Sequence, residues 1–380
     1  MRKQRMWRCF IVICLVLLAT FAGCRAKAQK PVLLWSQDLA HDQDFQKRLG
    51  QDLIVLRPPT IDFLNAKQII VAFDDGAISG GGPVSEPFGF HVLEVKADSG
   101  SFGKKLSFSV LSDSSQAQVI KGGDLLVLAG EKLQKFSADF QEVSALPTPL
   151  RLHGQPTKQV FAGGTYWNPR YERWLMDVAP GGDTVLLGHI EKPLQMHLQW
   201  LRTSDFSVTK SLSTHTWKDV LASDNGALFI EPMKAMLLSD DKFTVICNRC
   251  EAHFITDDLL FLNEEKAYEI KSLNGEVKAR GKLSVYASTF KRAQSASRFA
   301  YSTGAYRGYG FPLVTHFPSV HSDIRVYDWK QMKQVAEVDL NKHVGSESMG
   351  YSKLAIALSP DGKQLVILDD SKLSCYSLPQ

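Results

Sequence analysis

The chain has 380 residues, 44% of them hydrophobic and 22% charged, with 44 Lys and Arg against 40 Asp and Glu. These ordinary values exclude a disordered chain, a collagen-like chain and a polytopic membrane protein. Six basic residues (Arg2, Lys3, Arg5, Arg8, Arg25, Lys27) and no acidic one fall in the first 28 positions, so the rest carries 38 basic against 40 acidic residues and lacks the positive excess that nucleic-acid binding needs.

The N-terminus reads as an export signal. A basic start, Arg2 to Arg5, precedes the apolar run Phe10–Phe21, which is well short of the roughly 20 residues a membrane span requires. Residues 1–28 are therefore expected to be a signal peptide. Two processing sites compete. Ala26-Lys27-Ala28 is an A-x-A site that would release a chain starting at Gln29, whereas Phe21-Ala22-Gly23-Cys24 resembles a bacterial lipobox that would place a lipid on Cys24. An uncleaved anchor is the third reading. The chain is expected to be exported to the periplasm or beyond, and to touch a membrane only through a lipid at Cys24. After cleavage at 28 only Cys247, Cys250 and Cys375 remain, too few for a disulfide scaffold, so a hydrophobic core must hold the fold.

Segment 29–65 contains the best helical candidate, Asp42–Leu49, with Asp42 as its N-cap. From there on the chain is a succession of short runs rich in branched and aromatic side chains and bounded by Gly, Asp, Ser or Pro, which is the strand signature. Examples are 68–73, 125–128, 184–187, 227–230, 259–262 and 364–368. Three segments, 125–133, 259–267 and 365–373, align without gaps as a buried strand, a tight polar turn, a lysine and an alternating strand. A second repeated unit, strand–turn–strand, recurs at 90–108, 198–212 and 323–338.

Two connecting segments are unusual. Residues 163–174 include Tyr166, Trp167 and Arg170, and residues 304–321 include Tyr306, Arg307, Tyr309, His316 and His321. Aromatic side chains interleaved with arginine are the stuff of binding hot spots, and long loops on a rigid scaffold are where binding resides; the alternative is that they pack on one another and plug a face of the fold. Cys247-Asn248-Arg249-Cys250 has no second pair for a zinc site, no following His for haem attachment, and ends a strand rather than starting a helix. A local disulfide and two free thiols remain. The acidic pairs 74–75, 240–241, 257–258 and 369–370 adjoin strand ends, where Asp favours turns. No zincin, nucleophile-elbow, phosphate-loop or EF-hand motif occurs, so no catalytic residue, metal or cofactor is expected.

At the C-terminal end, Ser359-Pro360-Asp361-Gly362-Lys363 lies between two apolar strands, and Ile324-Arg325-Val326-Tyr327-Asp328 precedes a further strand. These residues resemble the turn between the first two strands, and the third strand, of a WD-repeat or YVTN-type β-propeller blade of bacterial proteins, with Tyr327 where the family's Trp would sit. The resemblance implies an all-β propeller of four-stranded antiparallel blades, over 66–380. Seven blades fit best, at 66–112, 116–150, 157–213, 214–250, 251–284, 287–340 and 351–380. The last would be completed by an N-terminal strand, either Val32–Trp35 or Asp52–Leu56. For function it implies a monomeric, non-enzymatic scaffold binding a protein or small ligand. A propeller hydrolase or lactonase-like enzyme, with His, Asp or Glu converging at the channel mouth, is the alternative.

Overall fold

The computed structural model describes residues 30–49, 59–76, 87–110, 115–148, 158–161, 164–167, 173–192, 195–215, 219–224, 226–231, 234–239, 242–248, 250–264, 267–282, 287–294, 296–303, 320–344 and 354–380. Seven four-stranded antiparallel sheets stand around an axis as propeller blades. Blade 1 is β2 (Thr60–Asn65), β3 (Gln68–Asp74), β4 (Phe88–Lys96) and β5 (Phe102–Val110). Blade 2 is β6 (Gln116–Val119) to β9 (Glu142–Pro147). After a two-stranded hairpin, β10 (Lys158–Phe161) and β11 (Gly164–Trp167), blade 3 runs from β12 (Arg173–Val178) through β13 (Thr184–Lys192) and β14 (Gln195–Arg202) to β15 (Val208–Thr214). Blade 4 spans β16 (Asp219–Ser223) to β19 (Lys242–Asn248), and blade 5 spans β20 (Glu251–Thr256) to β23 (Val277–Lys282). Blade 6 comprises β24 (Ala287–Arg292), β25 (Arg298–Thr303), β26 (Val320–Asp328) and β27 (Lys333–Val344).

Blade 7 joins the two ends of the chain. Its first three strands are β28 (Leu354–Leu358), β29 (Gln364–Asp369) and β30 (Lys372–Ser377), and its outermost strand is β1 (Val32–Asp38), paired antiparallel with β30. This pairing covers the outer edge of β30 and ties the first strand to the last. Of the two expected closing strands, the first is the one used; 52–56 lies outside the described residues. Blade 1 begins at Thr60, ahead of the expected boundary at 66, because β2 alternates polar and buried residues and so lacked a continuous apolar run. Blade 3 begins at Arg173 rather than 157, since 158–167 pair only with each other. The hairpin of Lys234–Ser239 and Lys242–Asn248 supplies the third and fourth strands of blade 4.

The repeats seen in the sequence fall on equivalent strands. The three gapless segments are the second-to-third-strand hairpins of blades 2, 5 and 7, and the strand–turn–strand units are the third-to-fourth hairpins of blades 1, 3 and 6. In the latter turns a left-handed residue recurs: Gly100, Phe140, Phe206, Gly275 and Met332 all have positive φ. The two phenylalanines are buried in inter-blade clusters, and Met332 packs against another, so burial offsets the strain of a non-glycine residue there.

Seven hydrophobic clusters, one for each junction between neighbouring blades, form the core. The widest-ranging one joins blade 7 to blade 1 and takes in the segment between β1 and β2. That segment forms a 3-10 turn at Leu39–His41 and helix α1 (Gln43–Leu49), with Leu39 and Phe45 fully buried. Asp42 caps α1 as predicted, accepting from the N–H groups of Asp44 and Phe45 at 3.0 and 3.1 Å.

Candidate functional site

Strand direction sorts the connections onto two faces. Turns joining the first to second and third to fourth strands share one face, and none is longer than five residues. The other connections share the opposite face, which takes every long one: 39–59, 75–87, 148–172, 304–319 and 345–353. Both aromatic segments predicted to bind therefore connect strand ends on that face. Tyr166 and Trp167 sit on β11, and His321 lies on β26 opposite His343. Arg170, Tyr306, Arg307, Tyr309 and His316 lie outside the described residues, as does Cys24.

The short-turn face is built from tight turns, among them one that satisfies its own polar groups. In the Ser359–Lys363 turn, the Ser359 hydroxyl accepts from the N–H groups of Lys363 and Gln364 at 3.0 and 2.9 Å and donates to Asp361 Oδ1 at 2.7 Å. Gly362 closes it at φ 68°. Arg298 of blade 6 donates to the Gly362 carbonyl at 2.9 Å, locking the turn to its neighbour.

Toward that face the axial channel holds a cavity of about 390 Å³ whose lining includes Asp62, Gln118, Asp177, His253, Lys291 and Arg292. Its polar groups come from the innermost strands and are spent on one another. Gln118 of blade 2 accepts from Val178 N–H at 2.8 Å and donates to the Met176 carbonyl at 3.2 Å, stitching blades 2 and 3. Asp177 of blade 3 accepts from the Ala222 N–H of blade 4 at 2.6 Å. Burial pushes the Asp177 carboxyl up to about 6, against the pull of the Ala222 N–H and of Arg292. Lys291 of blade 6 reaches to 3.7 Å from Asp62 of blade 1. Burial also lowers the Arg292 guanidinium, with Asp177 the largest opposing influence. His253 is stacked on Phe290 with centroids 4.8 Å apart, and burial pushes it down to about 4, so it is neutral near neutral pH. The channel lining thus mixes carboxylates and basic groups around a cavity, with Gln118 and Asp177 bonded to the backbone of the next blade. Among the described residues, no three metal-ligating side chains meet in it.

A second cluster, on the long-connection face, was not legible as a site in the sequence. Asp44 of α1, Asp75 just past β3 and His91 of β4 bring their ligating atoms within 4.8 Å of one another. Asp75 Oδ1 accepts from Gly89 N–H at 2.7 Å, and Asp75 Oδ2 holds the Lys47 ammonium at 2.8 Å. Although burial opposes it, these two groups and the His91 ring bring Asp75 below the usual carboxylate range. His91 Nδ1 bonds the Ser107 hydroxyl at 2.9 Å. Lys105 bridges Asp42 and Asp44. Asp75 reads in sequence as a turn residue, and the trio spans three separate elements, so no spacing motif could announce it.

Cys247, closing β19, and Cys250, just before β20, lie buried with their sulfur atoms together and Cα atoms 6.0 Å apart. Cys375 is buried, and its thiol is pushed up to about 12 by burial, which makes it inert.

No known family profile and no curated protein matches the chain. Solved structures do. The WD40 domain of Neurospora crassa Pan2 is similar at a TM-score of 0.54 and 9% identity, over 93% of this chain and 97% of that one. The chain is a seven-bladed WD40-like β-propeller. BBS1N, in a crystal structure of its complex with ARL6DN, is similar at 0.51 and 10% identity, over 93% of this chain and 98% of that one. A chain of the mitotic checkpoint complex is similar at 0.50 and 11% identity, over 94% and 95%. The likeness is one of fold alone.

Proposed function

We propose that this chain is an exported, non-enzymatic propeller whose long-connection face binds a protein partner. The observation that carries the reading is the segregation of loops: all long connections, including both aromatic and arginine-rich segments, leave the rigid ring on one face. The opposite face carries only short turns, and several polar groups there and in the channel are engaged in bonds between neighbouring blades. Two of the similar structures come from protein complexes, which accords with a protein partner rather than a channel-bound metabolite. Export rests on the leader, and the lipobox-like sequence at Cys24 would hold the ring beside a membrane.

The test is in-cell crosslinking in the organism that makes the protein. Tyr166→Ala/Trp167→Ala/Arg170→Ala and Tyr306→Ala/Arg307→Ala/Tyr309→Ala should each lose the crosslinked species that the wild type forms. Lys121→Ala, on the exposed short-turn face, should keep it. Retention of that species by both triple variants, or its loss in Lys121→Ala, contradicts the assignment. Mass spectrometry of the mature protein reads the rest: an acylated Cys24 or a chain starting at Gln29 supports export, and a linked Cys247–Cys250 peptide supports the disulfide. An intact Met1 terminus on protein recovered from the soluble cytoplasmic fraction refutes export.

A further inference from the structure

The cluster at the junction of α1 and blade 1 has the make-up of a metal site rather than of a salt bridge alone. His91 is only 5% exposed, yet its Nε2 makes no hydrogen bond, and it stands 3.4 Å from Asp75 Oδ2. A buried imidazole nitrogen that faces a carboxylate oxygen without hydrogen-bonding to it is incompletely satisfied, so it calls for an explanation. The separation itself is informative. Two ligands each about 2.0–2.1 Å from a tetrahedral zinc ion are about 3.3 Å apart. Asp44 supplies a third ligand, its carboxylate, within the same 4.8 Å span; its Oδ2 now holds the Lys105 ammonium and stands 3.7 Å from His91 Nδ1, so it must turn from Lys105 to join the set.

The supports around these atoms are those a metal ligand set uses. Ser107 at His91 Nδ1 fixes the ring orientation, and the Gly89 N–H ties up Asp75 Oδ1, leaving Oδ2 to face His91. Hydrogen bonds of this sort set the tautomer and basicity of ligating side chains. Gly89 also keeps the space open: a Cβ there would meet His91 Nε2 and come within 2.8 Å of Asp75 Oδ2. The position of Lys47 fits the same picture. Its ammonium sits on Asp75 Oδ2, but its side chain is 57% exposed, so it is free to swing into water when a stronger cation arrives. Asp44, 32% exposed, gives access from the loop-bearing face.

We propose that Asp44, Asp75 and His91 bind a divalent first-row transition ion of the zinc type, displacing from Asp75 the Lys47 ammonium and from Asp44 the Lys105 ammonium, which keeps its bond to Asp42, and pinning α1 to blade 1, with the fourth coordination position open toward the long-connection face. One imidazole and two carboxylates suit zinc, cobalt or nickel better than calcium or magnesium, which prefer all-oxygen shells.

Full-length mature protein, stripped with chelator, is titrated with zinc by calorimetry and followed by thermal unfolding. One equivalent should bind with a rise in Tm. Asp44→Asn and His91→Asn should each weaken affinity by about tenfold or more, and Asp44→Asn, at a partly exposed helix position, keeps the fold intact for the comparison. Lys47→Ala should tighten binding several-fold, which a purely structural salt bridge does not predict. Cobalt in place of zinc should give d–d bands without thiolate charge transfer. Failure to bind zinc, equal affinity in Asp44→Asn and the wild type, or a thiolate charge-transfer band placing the metal at the cysteines would overturn the proposal.

Discussion

The two faces of the ring are made by different rules. On one, turns of at most five residues are locked by their own side chains and by the neighbouring blade, as Ser359, Gly362 and Arg298 illustrate. On the other, connections of up to 25 residues join strands without altering the register of any blade. Long surface insertions cost little stability, because loop-closure entropy grows only slowly with length. One face is thus constrained by folding and the other is available to function.

The contrast can be broken by mutations on either side. The largest effect is expected at Trp200, near the short-turn end, which is 1% exposed and donates to the Gly226 carbonyl of the next blade at 2.8 Å. Trp200→Ala should cost about 3–5 kcal/mol in denaturant unfolding; a loss below about 1 kcal/mol would mean that the blade 3–4 wall is not the core described. Gly362→Val should cost about 1–3 kcal/mol, since φ is positive and a Cβ would lie 3.0 Å from Ala296 Cβ.

The channel gives a pH signature. Asp177 is raised from 3.8 to about 6 in the folded state, so protonation favours folding there, and the contribution is complete below the unfolded value and lost as pH rises through about 6. The Tm of the wild type minus that of Asp177→Asn should therefore fall between pH 5 and pH 8; a difference that stays flat or rises would show that the carboxylate is not desolvated as described. The smallest effect is expected on the long-connection face. Tyr306→Ala/Arg307→Ala/Tyr309→Ala should leave the unfolding midpoint within about 0.5 kcal/mol of wild type while removing partner binding. A large destabilisation would favour the alternative that these residues plug the face.

Much of the architecture was legible because it rests on local patterns. Runs such as Leu125–Ala129 are buried along their whole length, and the Ser359–Lys363 turn encodes its own geometry. The strands that escaped were those whose pattern is not continuous: Thr60–Asn65 mixes Asp62 and Asn65 with buried residues. The left-handed position within the recurring third-to-fourth-strand turn stayed hidden for another reason. Phe140, Phe206 and Met332 occupy a conformation that glycine takes at 100 and 275, and a buried hydrophobic residue gives no turn signal. The polar clusters were the least visible. Asp44, Asp75 and His91 lie on three elements, and Asp177 faces Arg292 from three blades away, so only the closed ring brings them together.

That closure has a direct test. The hydroxyl oxygens of Ser36 on β1 and Ser374 on β30 are 3.1 Å apart although 338 positions separate them in the chain. The double variant Ser36→Cys/Ser374→Cys, mildly oxidised at low concentration, should yield a monomer in which mass spectrometry finds the two peptides joined. Unlinked cysteines, or links found only between separate chains, would contradict a ring fastened by its first and last strands.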